Sequence, residues 1–227
     1  MTGADDMILL GYILTFGWVF LILAVTLVLK KKTGADDEVS RKIVHVAVAF
    51  AYIPMYFFLR GTWHFVVPTA VFIVLNAVSY KRNLFAAMER TDESRRSLGT
   101  VYYAVSMTVM GALCVLAPRC LPCYAMGLFC MALGDGFAPI FGAIRKGNRR
   151  LLGERTLYGT LSVFVICLAV AAVVSGLFRL GLPLWGIGCI ALAAAALELI
   201  GSRGLDNLTL PLGVFLLSTL LTLKTGA

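Results

Sequence analysis

The sequence predicts an all-α protein: a polytopic helical bundle of about eight membrane-spanning helices. Three observations predict it, namely the composition, the spacing of apolar runs and the one-sided placement of basic residues. Of 227 residues, 60% are apolar and 14% charged, against roughly 45–50% and about 25% in ordinary soluble domains. The mean hydropathy is +0.90, more apolar surface than one water-soluble core can hide. This excludes a disordered chain and a disulfide-stapled secreted module. A nucleic-acid-binding domain is excluded as well, despite a formal charge of +8, because in a membrane protein Lys and Arg report orientation.

A bilayer core of about 30 Å takes about 20 apolar residues as helix. Met7–Leu29 meets this requirement and stops at Lys30-Lys31-Lys32. It reads as a retained span and not a cleaved signal peptide, because Asp5 and Asp6 precede a long apolar run. Seven further runs follow: Ile43–Leu59, Trp63–Ser79, Val101–Ala117, Leu121–Ile144, Leu157–Phe178, Leu182–Ile200 and Leu208–Leu223. The second and the last are short, so seven spans is the alternative count. Gly134-Asp135-Gly136 interrupts the fifth. No internal repeat or low-complexity tract appears, and the chain reads as one transmembrane domain over 1–227.

Alternating these spans places 16 of the 20 basic residues on one side, which the positive-inside rule makes cytoplasmic. Both termini then lie on the non-cytoplasmic side. Of the 12 acidic residues, only Asp5 and Asp6 fall on that outer side. Polar chemistry is therefore concentrated at the cytoplasmic face.

A charged group inside a span costs at least about 2.5–3.5 kcal/mol, so each marks a functional candidate. Asp135 is the strongest, flanked by glycines that permit close approach and followed by Pro139, which bends the helix. Such a break is tolerated only where it lines a polar cavity. Glu198 sits near the cytoplasmic end of the seventh span. Asp206 and Asn207 open the last span, either as site residues or as a helix cap. Arg41 and His45 are four apart and share a helical face. Arg41 and Lys42 also fit as topological flanks, while His45, about one turn into the bilayer, suits phosphate orientation or proton transfer.

The stretch from Gly142 to Thr160 holds four glycines, Gly142, Gly147, Gly153 and Gly159. It also holds five basic residues, Arg145, Lys146, Arg149, Arg150 and Arg155. Backbone NH groups plus cations suit a polyanion, although positive-inside topology also explains the charge. A Walker loop is rejected, because Asn148-Arg149 replaces the required Lys-Ser/Thr and the context is not strand–loop–helix. The cysteines, including Cys120-Leu121-Pro122-Cys123, read as apolar packing, and two histidines give no support for zinc.

Together these motifs resemble the CTP-dependent lipid kinases (dolichol kinase, phytol kinase and the CTP-dependent diacylglycerol kinase), which are distantly similar to CDP-diacylglycerol synthases. The resemblance covers about 40–211. Arg41-Lys42 with His45 resembles the family's Arg-Lys-x-x-His opening, and Ser97-Leu98-Gly99-Thr100 its Ser-x-Gly-Thr element. Gly134-Asp135-Gly136, Gly142, Gly147, Arg155-Thr156 and Gly159-Thr160 are similar to its central nucleotide motif. Glu198 with Leu205-Asp206-Asn207 is similar to its closing one. Two departures stand out: Tyr158 replaces a frequent acidic residue, and the longer closing signature of the CDP-diacylglycerol synthases is absent.

The resemblance implies phosphoryl transfer from CTP to the hydroxyl of a lipid alcohol: a polyprenol, a phytol-like isoprenoid or diacylglycerol. It implies Mg2+ or another divalent cation on Asp135 and Asp206, with Asn207 and Glu198 as second candidates. Arg41, Lys42, Arg145, Lys146 and Arg155 would hold the triphosphate, and Gly134, Gly142, Gly147, Thr156 and Gly159 would line its pocket. Asp206 and His45 are the candidates for taking the alcohol proton. The expected setting is a bacterial cytoplasmic membrane, or the endoplasmic reticulum in a eukaryote, with the site facing the cytoplasm; no oligomeric state is specified. The alternatives are a cytidylyltransferase acting on a lipid phosphate and a secondary transporter with a broken helix.

Overall fold

The computed structural model of the chain describes residues 3–34, 36–82, 97–144, 149–202 and 204–225. Helix accounts for 86% of the described residues, which bears out the all-α expectation. By backbone packing it divides into two compact units, over 1–118 and 119–227.

Among the described residues the first unit holds four long helices. Helix α1 (Gly3–Thr33) carries Asp5 and Asp6 in its first turn and three lysines in its last, matching the helix dipole at both ends. Its buried residues, Gly11, Thr15, Val19, Leu23 and Thr26, form one stripe at helical spacing. At Gly11 an added Cβ would lie 2.6 Å from Leu59 Cδ2 and 2.7 Å from Phe58 Cβ. Glycine here lets α1 cross the end of α2 closely, as small residues do where membrane helices pack.

Helix α2 (Asp37–Leu59) is not uniform. It tightens to a 3₁₀ turn over Ala49–Ala51 and widens to a π-helix over Met55–Leu59. Pro54 supplies no backbone N–H, so the regular ladder must re-form around it. Trp18 Nε1 donates to Ala47 O at 2.8 Å, tying α1 to α2 where that ladder changes. Helices α3 (Trp63–Arg82) and α4 (Gly99–Leu116) pack together. They are joined by Asn76 Nδ2 donating to Thr100 O at 2.9 Å.

In the second unit α5 (Pro118–Ala143), α6 (Leu157–Leu177), α7 (Leu184–Ile200) and α8 (Asp206–Thr225) pack in sequence, and α8 returns against α5. Helix α5 is continuous through Asp135. Where the sequence suggested a break at Gly134-Asp135-Gly136, the chain winds as a π-helix over Cys130–Asp135 and resumes as α-helix at Gly136. Widening the turn preserves backbone hydrogen bonding ahead of Pro139, which a true break in lipid would forfeit. A two-stranded antiparallel ribbon, β1 (Arg150–Leu152) with β2 (Arg155–Thr156), precedes α6. It turns through Gly153 at φ +54°.

Among the described residues seven helices are long and apolar enough to cross a membrane, and α7 is shorter at 17 residues. Hydropathy had marked the second and last spans as the short ones; they are 23 and 20 residues long. Both continue past the charges that delimit their apolar centres, whereas α7 is stopped by Pro183 before it and Gly201 after it.

Candidate active site

Four of the residues singled out in the sequence converge in the second unit. Arg155, on the two-residue strand β2, reaches into the space between α5, α7 and α8. Its Nη1 pairs with Glu198 Oε1 and lies 3.6 Å from Asp135 Oδ1. Its Nη2 donates to Asp206 Oδ2 and, at 3.4 Å, approaches the carbonyl of Gly201. The carboxylates are buried, at 4%, 1% and 8% side-chain exposure for Asp135, Glu198 and Asp206, while Arg155 keeps 24%. Burial works against the guanidinium charge most strongly. Glu198, Asp135 and Asp206 together outweigh it and raise the Arg155 pKa above its usual value. The cation is therefore permanent.

Each member is placed by its local sequence. Asp135 is the last residue of the π-segment, whose extra residue per turn re-aims side chains relative to a plain α-helix. Glu198 lies in the last turn of α7. Asp206 is the first residue of α8, and its Oδ1 accepts from Asn207 N at 3.0 Å. A helix-capping side chain accepts instead from the second or third residue onward. The cap reading therefore describes this Asp poorly, while its other oxygen is committed to Arg155. Asn207 is buried beside it.

The glycines of the central motif serve close packing. A Cβ at Gly142 would stand 2.8 Å from Thr156 Oγ1, and one at Gly159 would stand 3.1 Å from both Thr156 Oγ1 and Ala138 O. Thr156 caps α6 by accepting from Gly159 N at 3.3 Å. These residues bring α5 and α6 together at the foot of the ribbon and so set where Arg155 begins. A Cβ at Gly134 would meet Cys167 Sγ at 3.1 Å. Arg145, Lys146 and Gly147 lie outside the described residues.

Gly201, which the sequence shows only as part of a short turn before Asp206, also shapes the site. Besides offering its carbonyl to Arg155, it leaves no room for a side chain: a Cβ would fall 2.7 Å from Asp206 Cβ and 3.0 Å from Asp206 Cα and Leu197 O. Gly201→Ala is expected to destabilise the α7–α8 junction by about 1–3 kcal/mol, the usual cost of overpacking a closed contact. A lowered thermal unfolding midpoint in detergent would report it. An unchanged midpoint would mean that the junction relaxes without strain.

Arg41, Lys42 and His45 belong to the first unit. Arg41 pairs with Glu38 at 2.6 Å, one turn earlier on the same helix. Lys42 and His45 are buried, and the His45 ring lies against that of Tyr103, 5.0 Å between centroids. Tyr103, just beyond the Ser-Gly-Thr element, had no role assigned from sequence; only packing across α2 and α4 reveals it.

Three carboxylates aimed at one centre form a set of hard oxygen donors, the ligand chemistry of Mg2+. Among the described residues no group of three His, Cys, Asp or Glu is gathered tightly enough to hold a metal ion as it stands. As the site stands, the three carboxylates face the guanidinium of Arg155, a cation supplied by the protein itself. Mg2+ typically uses one or two carboxylates plus substrate phosphates, so the donor set fits a cation shared with a phosphate chain.

No family model and no solved structure matches the chain. A phytol kinase from Synechocystis sp. is 29% identical to it over 199 residues, an alignment spanning 84% of this chain and 82% of that protein. Over most of its length the chain is thus a homologue of a lipid kinase, as the order of its motifs implied.

Proposed function

We propose that the protein transfers the γ-phosphoryl group of CTP to the hydroxyl of an isoprenoid-type lipid alcohol at the cytoplasmic face of the membrane. The observation that carries this reading is the convergence of Asp135, Glu198 and Asp206 on Arg155, from four separate segments of the chain. Phosphoryl transfer needs little covalent chemistry from a protein. It needs positioning, a divalent cation and fixed positive charge, and this cluster supplies the residues for the last two. Similarity to a phytol kinase supports a lipid alcohol as acceptor, and the ordered motifs support CTP as donor.

In this reading Asp135 and Asp206 would hold Mg2+, with Glu198 and Asn207 behind them, and the cation would supply neutralisation of the charge on the phosphates. Arg155 binds the triphosphate. The alcohol oxygen forms the new bond to the γ-phosphorus as the bond to the β–γ bridging oxygen breaks. CDP leaves, and the hydroxyl proton passes to a carboxylate of the cluster. The apolar chain of the substrate enters laterally between helices, and the basic residues collected on one side support a site at the cytoplasmic face.

Purified protein incubated with phytol or another isoprenoid alcohol and CTP labelled at either phosphate is expected to move γ-label, and no α-label, into lipid. Appearance of α-label with a lipid phosphate would instead assign cytidylyl transfer. Absence of label from either position with every lipid class would overturn the enzymatic reading.

A further inference from the structure

We propose that Arg155 is a displaceable occupant of the cation site. Its guanidinium holds Asp135, Glu198 and Asp206 in the ligand-free protein, and gives them up to a divalent cation as it turns to the nucleotide's phosphate chain. The inference rests on the phosphoryl-transfer reading above and deepens it, by making nucleotide binding the step that opens the metal site.

Three features of the geometry point to exchange in place of a fixed structural pair. The first is the poor fit of the fork. A guanidinium bound for structure makes two parallel bonds to one carboxylate, whereas Arg155 fans out over four acceptors. Two of them, Asp135 Oδ1 at 3.6 Å and Gly201 O at 3.4 Å, are beyond or at the limit of hydrogen bonding. The second is the way the partners are held. The carboxylates at 135 and 206 are short side chains fixed on helices, while Arg155 is a long one on a two-residue strand just after a glycine turn. Arg155 also keeps the greatest exposure in the cluster. The third is identity of the oxygens. A cation shared with phosphates must be ligated by the carboxylate oxygens that now face the guanidinium, at about 2.0–2.1 Å, so the two cannot be satisfied together.

Competition for one set of oxygens has a thermodynamic consequence. Whatever draws Arg155 away strengthens metal binding, and by linkage the metal strengthens nucleotide binding by the same factor. The cation would bind weakly alone and well with a triphosphate. An unloaded site would stay closed by an internal ion pair, without a naked carboxylate cluster in the membrane.

The test measures Mn2+ binding to the 227-residue protein in nanodiscs by the loss of the free-ion electron spin resonance signal, with neither nucleotide nor lipid alcohol present. Arg155→Gln is expected to bind Mn2+ about tenfold more tightly than the unaltered protein, or better, within the usual range of coupling between sites. It should bind CTP more weakly. A purely structural Arg155 predicts the opposite, because losing it would slacken the site and weaken both ligands. Equal or weaker Mn2+ binding by a folded Arg155→Gln protein overturns the proposal. Should that variant fail to fold, Arg155→Lys, which keeps a cation but cannot span three carboxylates, decides by the same titration: tighter Mn2+ binding supports exchange and unchanged binding overturns it. A gain in Mn2+ affinity without any label transfer from CTP leaves the exchange standing and places the fault in the donor assignment. Label transfer without that gain leaves the kinase reading standing and removes the exchange.

Discussion

Asp135→Ala is expected to lose at least about a thousandfold in lipid phosphorylation while the protein still inserts and accumulates in the membrane. A cation on transferring phosphoryl oxygens contributes several kcal/mol, and about 1.4 kcal/mol is a factor of ten in rate. The structural cost should be the smaller effect. Asp135 is 3.6 Å from the guanidinium, whereas Glu198 and Asp206 are paired with it directly. Removing Asp135 therefore takes least from the ion-pair network. Asp135→Asn, which keeps size and hydrogen bonding but not charge, should fall nearly as far. Initial rates measured with labelled CTP, alongside membrane quantity and unfolding midpoint, separate the two effects. Retained activity in a folded Asp135→Ala protein would remove Asp135 from the site.

What the sequence makes legible follows from the physics of lipid. Hydropathy finds the helices because a spanning helix must be apolar for most of its length. It finds Asp135 for the same reason, as an ionisable group that hydrocarbon would not tolerate without a purpose. Glu198 and Asp206 stand out less, because charges near helix ends are ordinary. The ordered motifs bring them forward where local reasoning leaves them ambiguous. Two things are illegible because they depend on partners far apart in the chain. The Arg155-Thr156 motif marks Arg155 as a phosphate-binding cation, but only the fold shows it facing residues from 135 to 206. Gly142 and Gly159 read as openings for a phosphate, yet their missing side chains make room for Thr156 and Ala138. A glycine announces that something comes close without saying what. The π-segment before Gly136 belongs to the same class, since Gly and Pro signal a disturbed ladder but not whether it breaks or widens.

Asp206 offers the sharpest separation of a catalytic role from a structural one. Asn equals Asp as a helix-capping residue, and it retains an oxygen able to accept from Asn207 N, as Asp206 does at 3.0 Å. If residue 206 serves only to start α8, Asp206→Asn should be nearly silent in stability and activity alike. The pairing with Arg155 and the carboxylates arranged around that cation predict otherwise. Asp206→Asn should fold with an unfolding midpoint close to the unaltered protein's, because neutralising one of three neighbouring carboxylates relieves mutual repulsion even as an ion pair weakens. Its rate with CTP should nevertheless fall by about a hundredfold or more, since a neutral amide is a poor ligand for a hard divalent cation. The loss should be partly recovered at raised Mg2+ or with Mn2+, which binds such sites more tightly in the divalent series. Recovery by metal distinguishes a lost ligand from a misplaced helix, because no concentration of cation repairs the start of α8. Full activity of Asp206→Asn at ordinary Mg2+ would return Asp206 to the role of a helix start and leave Asp135 and Glu198 to hold the cation.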